Sequence, residues 1–405
     1  MTDQSKHLIT KIFAQEIKDS RGNPTIKVIV FVGDVSGSFS VPSGASTGIN
    51  EAHVIENSKA ILNVNEIISK ALIGQNILNQ KEIDRIIIEL DGTKNKDNLG
   101  GNSIIGVSIA CAKTAAKVSD VEVYEHLRTL AEIKPSRKVP YLYMNLINGG
   151  KHAKNDLAFQ EYHAVPEADD VSKAVEMGIL IQNSLKEIIK KDLGEDSLLL
   201  GDEGGYAPKI GNIRKPLEYL NIALKENNLG KKVRLALDVA SSSFYNDGKY
   251  KVDGKEISKE ELMNIYNSLI AEFNLLSIED SFDEEDFASF RKLKESSKNL
   301  LVVGDDLTVT NKILLEKAIE EKSINAMIIK PNQIGTLSET LETMKLAREN
   351  DIELIVSHRS GETDDDFIAD LAYAFNCFGL KAGAPTKPER KVKYDRLIKI
   401  SENKL

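Results

Sequence analysis

In the second half of the chain, short aliphatic runs alternate with amphipathic stretches, and run after run ends on a residue able to hold a cation or move a proton. Residues 198–200 lead into Gly201, Asp202 and Glu203, and 235–237 into Asp238. Residues 275–278 lead into Glu279 and Asp280, and 300–303 into Gly304, Asp305 and Asp306. Residues 327–329 lead into Lys330, and 354–356 into Ser357, His358 and Arg359. Strands of a parallel α/β barrel are covered on both faces, so they read as unbroken apolar runs, and their C-terminal ends gather at one mouth. The pattern predicts six such ends meeting at a single site. Upstream the texture differs. Residues 25–32 and 38–41 are rich in β-formers and bracketed by Gly22-Asn23-Pro24 and Gly33-Asp34, which predicts an antiparallel hairpin or meander. Apolar residues then recur at helical spacing over 51–90 and 103–130. Residues 133–140 hold two prolines and no apolar period, which marks a boundary. The expected architecture is an N-terminal α+β capping domain over 1–135 and a C-terminal α/β barrel of the (β/α)8 type over 136–405. The second part is close to the roughly 250 residues of such a barrel. Ser258 and Glu261 predict a capping box, and Thr363 with Asp364, Asp365 and Asp366 predicts acids in a first helical turn. The acids of 283–286 read as a solvated loop or helix start.

A length of 405 residues independently favours two domains, and 41% hydrophobic with 28% charged residues supports a sizeable core. The formal net charge of −9 argues against nucleic acid or an anionic membrane as partner, since both require a basic face. With no Trp and 6% aromatics there is also little to stack on bases. An acidic protein can still take an anionic substrate if bound cations invert the local charge. Cys111 and Cys377, the two cysteines, lie in apolar helical contexts and are expected to be buried and reduced. The first residues show no apolar stretch of signal-peptide length and no run reaches membrane-span length, so the expected location is the cytoplasm.

Taken singly, Asp238, Glu279 or Asp305 could cap the helix that follows its strand. Three at successive strand ends, with no Cys or His cluster beside them, form a hard-oxygen set that suits Mg²⁺ better than zinc. Lys330 closes an apolar strand, where desolvation lowers an ammonium's pKa and can make it a general base; a salt-bridged lysine is the plainer alternative. Glu203, on a glycine-flanked turn, reads either as the complementary acid or as an ordinary acidic turn. His358, Arg359 and Ser360 offer donors for a phosphate. The loop 41–48, rich in Gly and hydroxyls, is either a surface loop or a lid over a metal-bound anion.

These residues sit in longer stretches that resemble enolase (phosphopyruvate hydratase) over almost the whole chain. The matching segments are 18–24, 41–48, 201–205, 304–311, 332–335, 357–363 and 381–385. The resemblance implies a capping domain and a barrel whose first strands depart from regular βα alternation. It implies a glycolytic lyase that reversibly dehydrates 2-phosphoglycerate to phosphoenolpyruvate, using two Mg²⁺ per active site. Lys330 would remove the C2 proton, Glu203 would help expel the C3 hydroxyl, and Glu161 would assist. Asp238, Glu279 and Asp305 would hold one Mg²⁺, and Ser46 would join a second to the phosphate. Gln160, His152, Glu161, His358, Arg359, Ser360 and Lys381 would contact substrate, and the chain would form a homodimer or a higher homo-oligomer. Lys151, Lys154, Ser243 and Ser281 depart from the usual family pattern. A relative acting on another acid substrate, or a paralogue with a binding role, are the competing readings.

Overall fold

The computed structural model describes residues 6–44 and 50–402. Strands β1 (Lys11–Lys18), β2 (Pro24–Val32) and β3 (Val35–Ser40) form the predicted antiparallel meander. Along β2 the residues Ile26, Val28, Val30 and Val32 are buried, the two-residue period of a strand covered on one face. They pack on helix Gly101–Val118, which is rich in Gly, Ala and Ser and buried almost all round. At Gly106 a Cβ would stand 2.6 Å from Val28 Cγ2, so the close approach requires glycine. The helical stretch expected over 51–90 is broken into Asn57–Leu62, a π-helical turn Asn63–Ile68, Ser69–Leu72 and Gln80–Asp91, with 51–56 outside any helix. Residues 131–140 contain neither helix nor strand.

Beyond them come β4 (Tyr141–Asn148), β5 (Glu161–Pro166) and β6 (Val233–Asp238), then a small antiparallel sheet of β7 (Tyr245–Asn246), β8 (Lys249–Val252) and β9 (Lys255–Ile257). β10 (Ser277–Glu279), β11 (Leu301–Gly304), β12 (Ala326–Ile329), β13 (Glu353–Ser357) and β14 (Gly379–Lys381) follow. Eight strands close a barrel in the cyclic order β4-β5-β6-β10-β11-β12-β13-β14. β5 runs antiparallel to both neighbours, and every other pair is parallel. Two strands in succession, then helices Val171–Leu193 and Lys215–Glu226, precede the regular alternation, so the irregular start implied by the resemblance is present.

Five of the six predicted strand ends belong to barrel strands. The run 198–200 does not: it lies in the connection between those two helices, Leu199 and Leu200 are each 58% exposed, and Leu200 makes one bridge to Tyr206. Three apolar residues are too few to separate a strand from an exposed loop. Conversely β4, β5 and β14 escape the aliphatic pattern because Asn145, Asn148, Glu161, His163 and Lys381 interrupt it. Asp364, Asp365 and Asp366 stand before helix Phe367–Ala374, not inside its first turn. Asp365 accepts from Phe367 N–H at 3.0 Å and from Lys113 Nζ at 3.0 Å. The capping box at Ser258 and Glu261 is formed, and Asp286 caps Phe287–Ser296. Cys111 and Cys377 are free and buried. Among the described residues no helix is long and apolar enough to cross a membrane.

The meander and helices are tied to the barrel mouth. Ser43 and Gly361 exchange backbone hydrogen bonds of 2.8 and 2.9 Å, and Arg359 Nη1 donates to Glu51 Oε2 at 3.0 Å. On the flank, Asp84 and Ser108 accept from the Ser338 and Leu337 amides, each at 2.9 Å.

Candidate active site

A cavity of about 190 Å³ opens at the mouth of the barrel, lined by residues at or just past the ends of seven of its eight strands and by Gly44 and Glu51 from the capping domain. The parallel strands direct their last side chains to this mouth, which is why the chemistry gathers here. β6 contributes Asp238, β12 is followed by Lys330, β13 by His358, Arg359 and Ser360, and β14 ends in Lys381. β5 runs the other way, so its first residue, Glu161, and the preceding Gln160 reach the same mouth. Glu203 arrives on the turn after helix Val171–Leu193, and His152 on the β4–β5 connection.

At the centre, Lys381 Nζ lies 2.8 Å from Asp238 Oδ2, 2.8 and 2.9 Å from the Glu279 oxygens and 3.3 Å from Glu161 Oε1. Burial opposes this ammonium, but the ring of carboxylates outweighs it and lifts the pKa well above the ordinary lysine value. Lys330 Nζ is paired with Asp305 Oδ2, while Gln333 Nε2 donates to Asp305 Oδ1 at 3.1 Å. Of the two readings the sequence offered for Lys330, a base with a pKa lowered by burial and a salt-bridged lysine, the structure has the second: burial acts downward, but Asp305 more than offsets it and raises the Lys330 pKa. No local pattern could foresee that partner, which lies 25 residues away. Val309 and Thr310 adopt φ of 39° and 55°, a strained conformation for β-branched residues. The turn is held because Thr310 Oγ1 donates to Gln333 Oε1 at 3.0 Å and accepts from the Lys330 amide at 2.9 Å. These hydrogen bonds tie the turn to the backbone of Lys330 and, through Gln333, to Asp305.

On the opposite wall Glu161 and Glu203 stand side by side. His152 Nδ1 lies 3.3 Å from Glu161 Oε1 and 3.5 Å from Glu203 Oε1, and His358 Nε2 lies 3.2 Å from Glu203 Oε1. Arg390 Nη1 donates to His358 Nδ1 at 2.6 Å, which leaves the His358 proton on Nε2, facing Glu203. Burial, aided by Arg390, pushes the His358 pKa down, so this imidazole is neutral. For His152 burial works the same way, but Glu203 and Glu161 prevail and its pKa rises. Burial opposes ionisation of Glu161, yet Lys381 and the histidines beside it hold its pKa well below the usual carboxylate range.

The remaining acids have too few cations. Burial, reinforced by neighbouring carboxylates, lifts the pKa of Asp238, and lifts those of Glu279 and Asp280 well above normal. Burial and then Asp305 push Asp306 up to about 7. Asp280 accepts from the Asp305 and Asp306 amides at 2.9 Å each and so ties the end of β10 to the end of β11. Among the described residues, the acid and histidine groups whose ligand atoms all lie within 4.8 Å are His152-Glu161-Glu203 and Asp280-Asp305-Asp306. Asp238 and Glu279 are joined instead through the Lys381 ammonium. A hard, oxygen-only donor set, short of positive charge and already gathered around an ammonium, fits a divalent cation such as Mg²⁺.

The cavity therefore brings together Lys330, Glu203, Glu161, His152, Gln160, Asp238, Asp305, His358, Arg359, Ser360 and Lys381, with Glu279 adjoining through Lys381. Gln160 Nε2 donates to Asp238 Oδ2 at 3.4 Å. Ser46 lies outside the described residues. Sequence reasoning missed Glu51, Asn145, Gln333 and Arg390, whose partners lie 23 or more residues away along the chain, and His163, whose partner Glu161 stands two residues away on the same strand. Lys151 and Ser243, two of the family departures, also line the cavity.

Known proteins match this arrangement across both parts of the chain. The description "Enolase, N-terminal domain" matches residues 9–127 and "Enolase, C-terminal TIM barrel domain" matches residues 136–405. Enolase from Methanocaldococcus jannaschii is 44% identical over 406 residues, covering 97% of this chain and 95% of its own. Enolase from Methanosarcina barkeri is 43% identical, covering 99% and 96%, and enolase from Methanococcoides burtonii 41%, covering 100% and 97%. Likeness of this extent, on a barrel whose mouth carries the acids and lysines just described, means that the chain belongs to the enolase family.

Proposed function

We propose that this protein, a hydro-lyase, interconverts 2-phosphoglycerate and phosphoenolpyruvate in glycolysis and gluconeogenesis, with residues 1–135 capping the barrel of 136–405. The observation that carries this reading is a lysine, Lys330, facing a pair of carboxylates, Glu161 and Glu203, across a cavity rich in cation-seeking acids. A proton beside a carboxylate is very weakly acidic, so the charge that develops on its removal must be met by positive groups already in place. Lys381 and Arg359 are such groups, and Asp238, Glu279 and Asp305 would hold a divalent cation, with Ser46 serving a second. Two Mg²⁺ would supply charge neutralisation at the substrate carboxylate and phosphate. A cation held by Asp305 would compete with Lys330 for that carboxylate's charge, and would weaken the interaction that offsets the downward effect of burial on the Lys330 pKa.

In this reading Lys330 takes the C2 proton and Glu203, assisted by Glu161, directs a proton to the departing C3 hydroxyl. Arg359 and Ser360 bind phosphate, Lys381 binds the substrate carboxylate, and His152, His358 and Gln160 line the substrate. The family likeness also supports a homodimer or higher homo-oligomer and a cytoplasmic location. The test is product absorbance with purified protein, with and without chelator; absence of a Mg²⁺-dependent signal overturns the proposal. Lys330→Ala should abolish deuterium exchange at C2 while divalent-ion binding persists. Surviving exchange removes Lys330 from the role of base.

A further inference from the structure

Directly beneath the cavity, inside the barrel, lie two polar side chains to which the reaction as described gives no part. β5 places Glu161, His163 and Val165 on one face, since side chains alternate along a strand. Val165 belongs to the apolar plug of the barrel together with Tyr143, Ala236 and Ile328. His163 thus occupies the layer between plug and cavity, 1% exposed, its ring edge-on to Tyr143 at 5.9 Å. Its cross-strand neighbour on β4 is Asn145, which is fully buried.

Each of these neighbours points a donor upward. His163 Nε2 meets Glu161 Oε2 at 2.8 Å, and Asn145 Nδ2 donates to Glu203 Oε2 at 2.9 Å. The remaining oxygens, Glu161 Oε1 and Glu203 Oε1, are the ones that face His152. An ionised carboxylate only accepts, so the His163 proton belongs on Nε2; its Nδ1 is buried with no hydrogen-bond partner. A buried imidazole with one nitrogen unpartnered is unfavourable as mere filling, because an apolar residue of similar volume would leave no orphaned polar atom.

We propose that His163 and Asn145 are positioning residues, a two-donor floor that turns one oxygen of Glu161 and of Glu203 downward and so presents the other to the substrate. The inference rests on the reading of Glu161 and Glu203 given above. It assigns the floor to the step that expels the C3 hydroxyl and not to removal of the C2 proton, because Lys330 stands on the other wall and shares no contact with His163.

The test compares two rates on the full-length Mg²⁺-loaded protein: deuterium exchange at C2 and net dehydration. His163→Leu and Asn145→Leu should each slow dehydration ~10-fold or more, the effect of losing a hydrogen bond to a charged group, while exchange stays close to native. His163→Gln, which keeps an N–H donor, should restore dehydration. A parallel fall in both rates, or no change in either, overturns the proposal. Glu161→Gln and Glu203→Gln separate the two readings: if they leave the ratio of rates unchanged, the carboxylate assignment fails, whereas a change there without one at His163 and Asn145 defeats the floor alone. A measurement on the native chain needs no folded variant. Nitrogen-15 spectra should place the His163 proton on Nε2, and a proton found on Nδ1 overturns the proposal.

Discussion

Asp306 illustrates how a single side chain couples this cavity to pH. Its carboxyl, pushed up to about 7 by burial and then by Asp305, is protonated in the cation-free fold at pH values where the unfolded chain has already lost the proton. A carboxyl raised in this way destabilises the fold progressively as pH climbs from its unfolded value of about 4 to its folded value. Asp238, Glu279 and Asp280 act in the same direction, and His152, raised in the fold, loses its contribution as pH rises through the folded value. His358, held neutral, opposes them below about 6.5. Carboxylates with lowered pKa, such as Glu362 beside Lys393, are fully ionised throughout and matter only at lower pH. Thermal unfolding of chelated protein should therefore show a falling midpoint from about pH 5 to about pH 8. Mg²⁺ at 100 times its dissociation constant should add about 2.7 kcal/mol and flatten the decline. A midpoint that rises over this range would show that these acids are not short of positive charge.

Helix Leu337–Glu349 shows the same economy between elements. Thr336 caps it locally by accepting from the Glu339 amide at 3.2 Å, but its first two amides are met from the other domain. Ser108 accepts from Leu337, and Asp84, which also takes hydrogen bonds from Ser108 at 2.6 Å and Gln80 at 3.0 Å, accepts from Ser338. Helix N-termini leave such amides without partners, and a carboxylate there also meets the positive end of the helix dipole. Lys96 adds an ion pair to Glu339 at 2.8 Å. Asp84→Ala should lower unfolding stability by about 1–3 kcal/mol, because it strands buried donors, and Lys96→Ala by less. Denaturant titration checks both, and an Asp84→Ala change below about 0.5 kcal/mol would mean that water replaces the carboxylate.

At the level of the entire chain, the cavity is built by both parts. Glu51 reaches Arg359 across 308 residues, and Ser43 pairs with Gly361, so the capping residues complete a mouth that the barrel alone leaves open. A proposed homodimer predicts a mass from light scattering of twice the 44.7 kDa of one chain. A single-chain mass at micromolar concentration would remove the assembly from the proposal.

The readable part of this protein is the part written locally. The aliphatic runs in and beside β6 and β10 to β13 are unbroken because both faces of these strands are covered, and the residues that enter the cavity lie at or just past their ends, so element and terminal side chain were legible together. The meander was legible for the same reason, through alternation and turn residues. β4 and β5 were not, since the side chains they send into the barrel, Asn145, Glu161 and His163, are polar, and their direction depends on which neighbours they meet. The charge state of Lys330 was likewise out of reach. Electrostatic interaction falls with distance in space, not with separation along the chain, and the fold alone brings Asp305 to Lys330, Lys381 to three carboxylates, and Asn145 under Glu203.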